Sequence, residues 1–279
     1  MSTSRPSLAE VRAVTQAGVL ERRSAEHWAG RLYMRGVSGH VTRWVVSTRA
    51  LDRVTPDHLT VLMIVVGLGA AGVVGLSASL WAAVVALVGI QVYLLLDCVD
   101  GEVARWRRTT SARGVYLDRL GHHVVEGALV VALGFRAAGG LLGRGAGAGG
   151  AGEGGLLAAG ASWWMVLGAL AALLVIIGKL ESDLVVVARA TSGLPQDTEA
   201  DPTSSIGPVR RLRRVFAVLP LHRLIGAVEL SLLLVGAAVV DALRGDLLAT
   251  QVLLAATALV ALLVAVGHPI TILTSRRLR

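Results

Sequence analysis

Apolar residues come in long, nearly unbroken runs along this chain. Segments 59–79, 80–96, 156–178 and 247–267 are each between 17 and 23 residues long and nearly free of charge. That is the length a helix needs to cross a bilayer. Segment 224–243 has the same character, with one acid inside it, Glu229. Segment 114–135 is apolar toward its end but carries Asp118, Arg119, His122, His123 and Glu126. The pattern predicts an all-α polytopic membrane protein with six transmembrane helices.

The intervening stretches fit that layout. Residues 1–58 hold nine arginines and no long apolar run, so no secretory leader is expected there. Within them, residues 24–48 mix Arg31, Arg35 and Arg43 with Trp28, Leu32, Val41 and Trp44. This mixture predicts an amphipathic helix lying in the membrane interface, or else a solvated one. Thr55-Pro56 reads as a helix N-cap followed by proline at the first helical position. Gly67, Ala71 and Gly75 form a small-residue stripe that lets another helix approach closely, in this chain or in a second copy. Residues 136–155 hold ten glycines and read as a flexible connector. The expected organisation is an N-terminal cytoplasmic or interfacial segment, 1–58, followed by a six-helix membrane domain, 59–279.

Composition strengthens this picture. Hydrophobic residues make up 54% of the chain, charged residues 16%, and the mean hydropathy is +0.67. So little charge does not cover a soluble surface, and disordered chains are far more polar. Of the 27 basic residues, 24 fall on one side of six alternating spans; only Arg136, Arg144 and Arg244 fall on the other. The positive-inside rule then puts both termini in the cytoplasm and the protein in the cytoplasmic membrane. The excess charge of +8 faces anionic lipid, and no nucleic-acid partner is expected. A single cysteine, Cys98, excludes an internal disulfide and a cysteine zinc cluster.

One polar cluster carries chemistry. Segment 80–96 runs straight into Asp97-Cys98-Val99-Asp100-Gly101-Glu102-Val103-Ala104-Arg105, and Gly114, Asp118 and His122 follow. Asp97, Asp100 and Ala104 share one helix face, and so do Gly114, Asp118 and His122. Cys98 points away from the first face and reads as a packing residue. Two antiparallel helices would gather three carboxylates at the cytoplasmic surface. Carboxylates so close repel unless a cation lies between them. Magnesium or manganese suits such oxygens, usually shared with substrate phosphates. Gly101, Ala104 and Gly114 leave room for a ligand, and Arg105 suits a phosphate. The residues therefore predict a metal-dependent site for a phosphate-bearing substrate at headgroup depth.

The string D-x-x-D-G-x-x-A-R-x8-G-x3-D, formed here by Asp97, Asp100, Gly101, Ala104, Arg105, Gly114 and Asp118, resembles the signature of the CDP-alcohol phosphatidyltransferases. Thr55-Pro56-Asp57-His58-Leu59-Thr60 is similar to the T-P-N-x-L-T that commonly opens the family's first span. The resemblance implies an enzyme of phospholipid biosynthesis. It would transfer a phosphatidyl or other substituted phosphoryl group from a CDP-linked donor, often CDP-diacylglycerol, to a small alcohol acceptor, releasing CMP. It implies Asp97, Asp100 and Asp118 as ligands of divalent metal, with Gly101, Ala104, Arg105 and Gly114 around the CDP moiety. It also implies a homodimer surrounded by membrane lipid.

The family's signature ends D-x3-D, whereas this chain ends it Asp118-x3-His122. In relatives the last aspartate deprotonates the acceptor and touches metal. Three readings follow. His122 is the base, since imidazole titrates near neutrality, and its nitrogen also favours manganese or zinc over magnesium. Alternatively, Glu126 or the adjacent His123 takes over. In the third, the chain has lost the reaction and only binds ligand. Outside the signature, Glu229 is a functional candidate or a partner of Arg223. Lys179, Glu181, Asp183 and Arg189 line an acceptor site or a solvated helix end. Arg210, Arg211, Arg213 and Arg214 meet anionic lipid or a phosphorylated acceptor. A small ion-coupled transporter is the rival from another class. The clustering of acids at one end argues against it.

Overall fold

The computed structural model describes residues 5–17, 28–142, 159–194 and 225–273. Among these residues there are eight α-helices and no strand. Two short helices come first, α1 (Leu8–Thr15) and α2 (Arg35–Ser47), the latter entered through a π-helical turn, Gly30–Met34. Six longer ones follow: α3 (Pro56–Leu76), α4 (Leu80–Arg107), α5 (Ala112–Ala137), α6 (Ala159–Thr191), α7 (Ala227–Arg244) and α8 (Leu248–Leu273).

Four helices are long and apolar enough to cross a membrane: α3, α4, residues Trp163–Thr191 of α6, and α8. Their large apolar side chains point outward; Trp81 is 76% exposed, and Val65, Val85, Leu173 and Leu259 are exposed as well. Such a surface suits lipid, not water. The segments expected as the remaining two spans are also helical, as α5 and α7. Neither reaches the same apolar standard. Arg113, Asp118, Arg119, Glu126 and Arg136 interrupt α5, and Glu229, Asp241 and Arg244 interrupt α7.

The chain divides into two compact units, Met1–Ala70 with Leu87–Val125, and Ala71–Ala86 with Glu126–Arg279. In the first, Thr55 starts α3 as expected: its Oγ1 accepts from the His58 amide (3.3 Å), while its own amide donates to His58 Nδ1 (3.2 Å). Histidine here takes the place that Glu holds in a capping box. Gly67 has no side chain where Tyr93 and Val125 press in, and Gly121 makes way for Met63 and Ile64. The small-residue position Gly67 thus serves packing inside this chain. An apolar cluster of Val45, Leu59, Val99 and Val103 joins α2, α3 and α4.

At the centre of the α1–α2–α4 contact lies Glu102, which is fully buried. Its Oε1 accepts from Ser38 Oγ (2.6 Å), Gln16 Nε2 (2.9 Å) and Arg35 Nη1 (3.1 Å), and its Oε2 from Thr42 Oγ1 (2.7 Å). A buried carboxylate is tolerated when both its oxygens accept hydrogen bonds and a cation pairs with it. The polar face of α2, Ser38 and Thr42, therefore turns inward, and Leu32, Val37 and Trp44 face out.

In the second unit α6 packs on α8, and α7 on α8. α7 ends at Gly245, whose φ of 79° favours glycine. Asp241 then caps α8, accepting from the Ala249 amide (2.8 Å) and from Thr250 Oγ1 (2.5 Å). The α5–α6 crossing is a backbone contact: a Cβ on Gly168 would lie 2.7 Å from the Gly134 Cα.

Arg136 departs from its expected place in a flexible connector. It is fully buried, and its guanidinium donates to the carbonyls of Ser77, Ala78 and Ser79, each at 3.0 Å. Those carbonyls belong to the turn between α3 and α4, where Ser79 also accepts from the Ala83 amide, and the planar fork of arginine reaches all three. Leu141 and Leu142 also donate to Gly75 and Leu76. The start of the expected connector is therefore pinned. Residues 143–155 lie outside the described residues, as do residues 24–27 of the expected interfacial helix and the first three residues of segment 156–178.

Candidate active site

The candidate site lies within the first unit. α4 is 28 residues long, about 42 Å at 1.5 Å per residue, against about 30 Å for a hydrocarbon core. Its last turns carry Asp97, Asp100, Gly101, Ala104 and Arg105. The helix ends at Arg107, and Arg108 adopts a left-handed φ of 55°. Ser111 then caps α5, accepting from the Gly114 amide at 3.0 Å. This tight turn sends α5 back beside α4, as the shared-face arithmetic requires.

Asp97, Asp118 and His122 come together. His122 Nε2 lies 3.1 Å from Asp97 Oδ1 and 3.5 Å from Asp118 Oδ1. One donor atom from each of the three falls within 4.8 Å of the others. On the far side of the imidazole, Nδ1 lies 2.5 Å from the hydroxyl of Tyr93. Tyr93 is buried, and its ring meets the imidazole edge-on. Asp100, also buried, turns to α3, where Thr60 Oγ1 donates to it at 2.6 Å.

The remaining sequence-derived residues are distributed as follows. Arg105 Nε donates to the carbonyl of Thr15 at 2.6 Å, and its Nη1 covers Gly101, 3.2 Å from where a Cβ would stand. Ala104 is buried. Gly114 faces Asp57, which pairs with Arg113 at 3.1 Å. The alternatives to His122 have other partners. Glu126, in the second unit, pairs with Lys179 at 2.7 Å, and His123 Nδ1–H donates to the Arg119 carbonyl. Glu181 faces His268 at 3.3 Å. The segment from Lys179 to Arg189 continues α6 as a helix. Cys98 is buried, as its packing role requires. Arg223 and the cluster Arg210, Arg211, Arg213 and Arg214 lie outside the described residues.

Two site residues were not singled out from sequence. Tyr93 stands four residues before Asp97, one step along the same helix stripe. Thr60 closes the six-residue string that begins at Thr55. Both signals are spacings, visible only once the partner helix is known.

The donor set fits a divalent cation. Adjacent ligands on an octahedron with bonds of about 2.1 Å stand about 3 Å apart, close to the observed 3.1 and 3.5 Å. Two carboxylate oxygens and one imidazole nitrogen suit manganese, zinc or magnesium.

Described residues that form helices and no strand, four bilayer-length apolar helices and a carboxylate–imidazole cluster between α4 and α5 define a membrane protein with a polar candidate site. The CDP-alcohol phosphatidyltransferase family model matches residues 53–263, about three quarters of the chain, and the chain belongs to that family. No curated protein matches it. Membership makes it a transferase-class protein whose family carries out phosphatidyl transfer in phospholipid synthesis.

Proposed function

We propose that this protein transfers a phosphatidyl, or other substituted phosphoryl, group from a CDP-linked donor such as CDP-diacylglycerol to a small alcohol, releasing CMP. The observation that carries this reading is the placement of His122 Nε2 between Asp97 and Asp118, two residues of the string that resembles the family signature, inside the family-matched range 53–263. The acceptor oxygen attacks the phosphorus distal to cytidine. The bond from that phosphorus to the bridging oxygen breaks, and CMP leaves with the electron pair. His122 takes the acceptor's proton at Nε2, while Nδ1–H donates to the Tyr93 oxygen. Asp97, Asp100 and Asp118 would hold divalent metal, which supplies charge neutralisation for the pyrophosphate. Gly101, Ala104, Arg105 and Gly114 would bound the CDP moiety.

A second reading keeps the reaction but makes His122 a metal ligand. The three donor atoms within 4.8 Å favour it. Both readings need the same Nδ1–H tautomer.

Six spans are also part of this reading, with α5 and α7 crossing beside the four more apolar helices. The split of 24 basic residues against three supports that count, cytoplasmic termini and a cytoplasmic site. The outward Leu32 of the π-helical turn and Val37 and Trp44 of α2 support an interfacial position for that helix. A homodimer is expected from the family resemblance.

The test is CMP release by the full chain in lipid nanodiscs, supplied with CDP-diacylglycerol, magnesium or manganese and pooled acceptor alcohols. Metal-dependent release that vanishes in Asp100→Asn establishes the transfer. The absence of both release and donor binding overturns it.

A further inference from the structure

The family match begins at residue 53, yet three residues on the last turns of α4 are held from before or at its edge. Glu102 is clamped by Gln16, Arg35, Ser38 and Thr42. Arg105 Nε is held by the Thr15 carbonyl. Arg107 donates to the carbonyls of Leu51 and Val54. Thr15 and Gln16 are adjacent, and both are buried at the end of α1. Gln16 Nε2 also donates to the Arg35 carbonyl at 2.9 Å, which ties α1 to α2. Arg12 Nη2 adds a bond to the Gly36 carbonyl.

We infer that α1 and α2 form a positioning cap for Arg105, with Gln16 and Glu102 as its positioning residues. Glu102 fixes the end of α1 through Gln16. The fixed end presents the Thr15 carbonyl to Arg105. Anchored by Nε, the guanidinium lies over Gly101. A long arginine side chain otherwise loses much rotamer freedom when it engages a phosphate. A pre-set one loses less, so the cap raises donor affinity. This inference rests on the reading of Arg105 as a contact of the CDP moiety. It adds to that reading a function for a segment outside the family-matched residues.

The experiment uses the full chain in nanodiscs, with Gln16→Ala, Glu102→Ala, Arg105→Ala and the double variant Gln16→Ala/Arg105→Ala. CDP-diacylglycerol binding and the donor and acceptor KM values are measured. Hydrogen exchange of residues 8–16 and a thermal melt accompany them. Gln16→Ala is expected to weaken donor binding about tenfold, the size of one well-placed hydrogen bond. Acceptor KM stays unchanged, exchange in α1 speeds up and the melt stays close to that of the unsubstituted chain. In the Arg105→Ala background Gln16→Ala adds nothing, because the group it positions is gone. Unchanged donor affinity in both Gln16→Ala and Glu102→Ala overturns the inference and leaves the transferase reading standing. So does a Gln16→Ala loss that multiplies with that of Arg105→Ala. An unsubstituted chain that neither binds nor turns over the donor overturns the transferase reading itself, and this inference with it.

Discussion

The hydroxyl of Tyr93 lies 2.5 Å from Nδ1 of His122, on the opposite side of the ring from Asp97 and Asp118. A neutral imidazole has one N–H. With metal held by the carboxylates and Tyr93 accepting at Nδ1, Nε2 keeps a lone pair for a proton or the metal; without metal, Nε2–H donates to Asp97 Oδ1 at 3.1 Å, since a carboxylate only accepts. If Tyr93 donated instead, Nε2 would carry the hydrogen and do neither. Tyr93→Phe is therefore expected to lower turnover about 10- to 100-fold, the usual cost of losing a histidine's orienting partner. In a His122→Asp background it should cost nothing, since an aspartate has no tautomer to fix. Equal losses in the two backgrounds would remove Tyr93 from the site's chemistry. Nitrogen-15 shifts of the labelled His122 ring report the tautomer directly.

His122→Ala and His122→Asp separate the roles of this residue. As base, His122→Ala loses CMP release by at least about 100-fold and keeps manganese binding. As ligand, His122→Ala loses both. His122→Asp is expected to retain turnover and to shift its preference toward magnesium, because a carboxylate replaces a nitrogen donor. Full turnover in both variants would exclude His122 from the reaction. Chelation is expected to abolish release, and readdition of metal to restore it.

Glu102→Ala leaves Arg35, Ser38, Thr42 and Gln16 facing a void where a carboxylate stood. Removal of one partner from a buried charge pair costs about 3–5 kcal/mol. A clear fall in Tm in detergent is expected, larger than that of Gln16→Ala. A Glu102→Ala protein as stable as its parent would mean that the α1–α2–α4 contact contributes little.

Arg136→Met removes the guanidinium donor from the Ser77, Ala78 and Ser79 carbonyls, of which Ser79 keeps the Ala83 amide, while retaining much of the side-chain volume. The expected cost is at least about 2 kcal/mol, with Arg136→Lys recovering part of it, since one ammonium does not reproduce the fork. Donor KM should not move. A KM effect without loss of stability would contradict a purely structural role.

Glycines in the long helices differ in sign. Gly168→Ala places a Cβ 2.7 Å from the Gly134 backbone, which has no side chain to give way. It should destabilise by about 1–3 kcal/mol. Gly236→Ala meets nothing within 4 Å and should stabilise α7 by up to about 1 kcal/mol. Paired melts of the two variants check both.

Sequence spacing carried much of this site. The stripes Asp97–Asp100–Ala104 and Gly114–Asp118–His122 follow from helical period alone, and the structure brings Asp97, Asp118 and His122 together. The Thr55-Pro56 start of α3 was equally legible, because capping is local. What escaped were partners distant in the chain. Arg105 reads as a phosphate contact until the Thr15 carbonyl, 90 residues away, is placed beside it. Glu102 is an unremarked position inside the signature, and Arg136 reads as the first residue of a loop. Carbonyl acceptors belong to every residue type, so no composition or period marks the one that a side chain will find. The charges in α5 and α7 keep these two predicted helices below the apolar standard of the other four, and the structure gives some of those charges partners: Lys179 for Glu126 and Thr250 for Asp241.

Arg136 also bears on how the chain enters its membrane. In the proposed orientation it belongs to the side poor in positive charge, where each exposed cation opposes correct insertion. Its acceptors, at Ser77, Ala78 and Ser79, are synthesised 57 to 59 residues before it. They can therefore already be across when Arg136 arrives, ready to receive it. Arg244, on the same side, is matched by Asp246 at 3.0 Å. In that proposed orientation the outer face would display less positive charge than a residue count gives it, and the topogenic asymmetry felt during biogenesis would be steeper than the one written in the sequence.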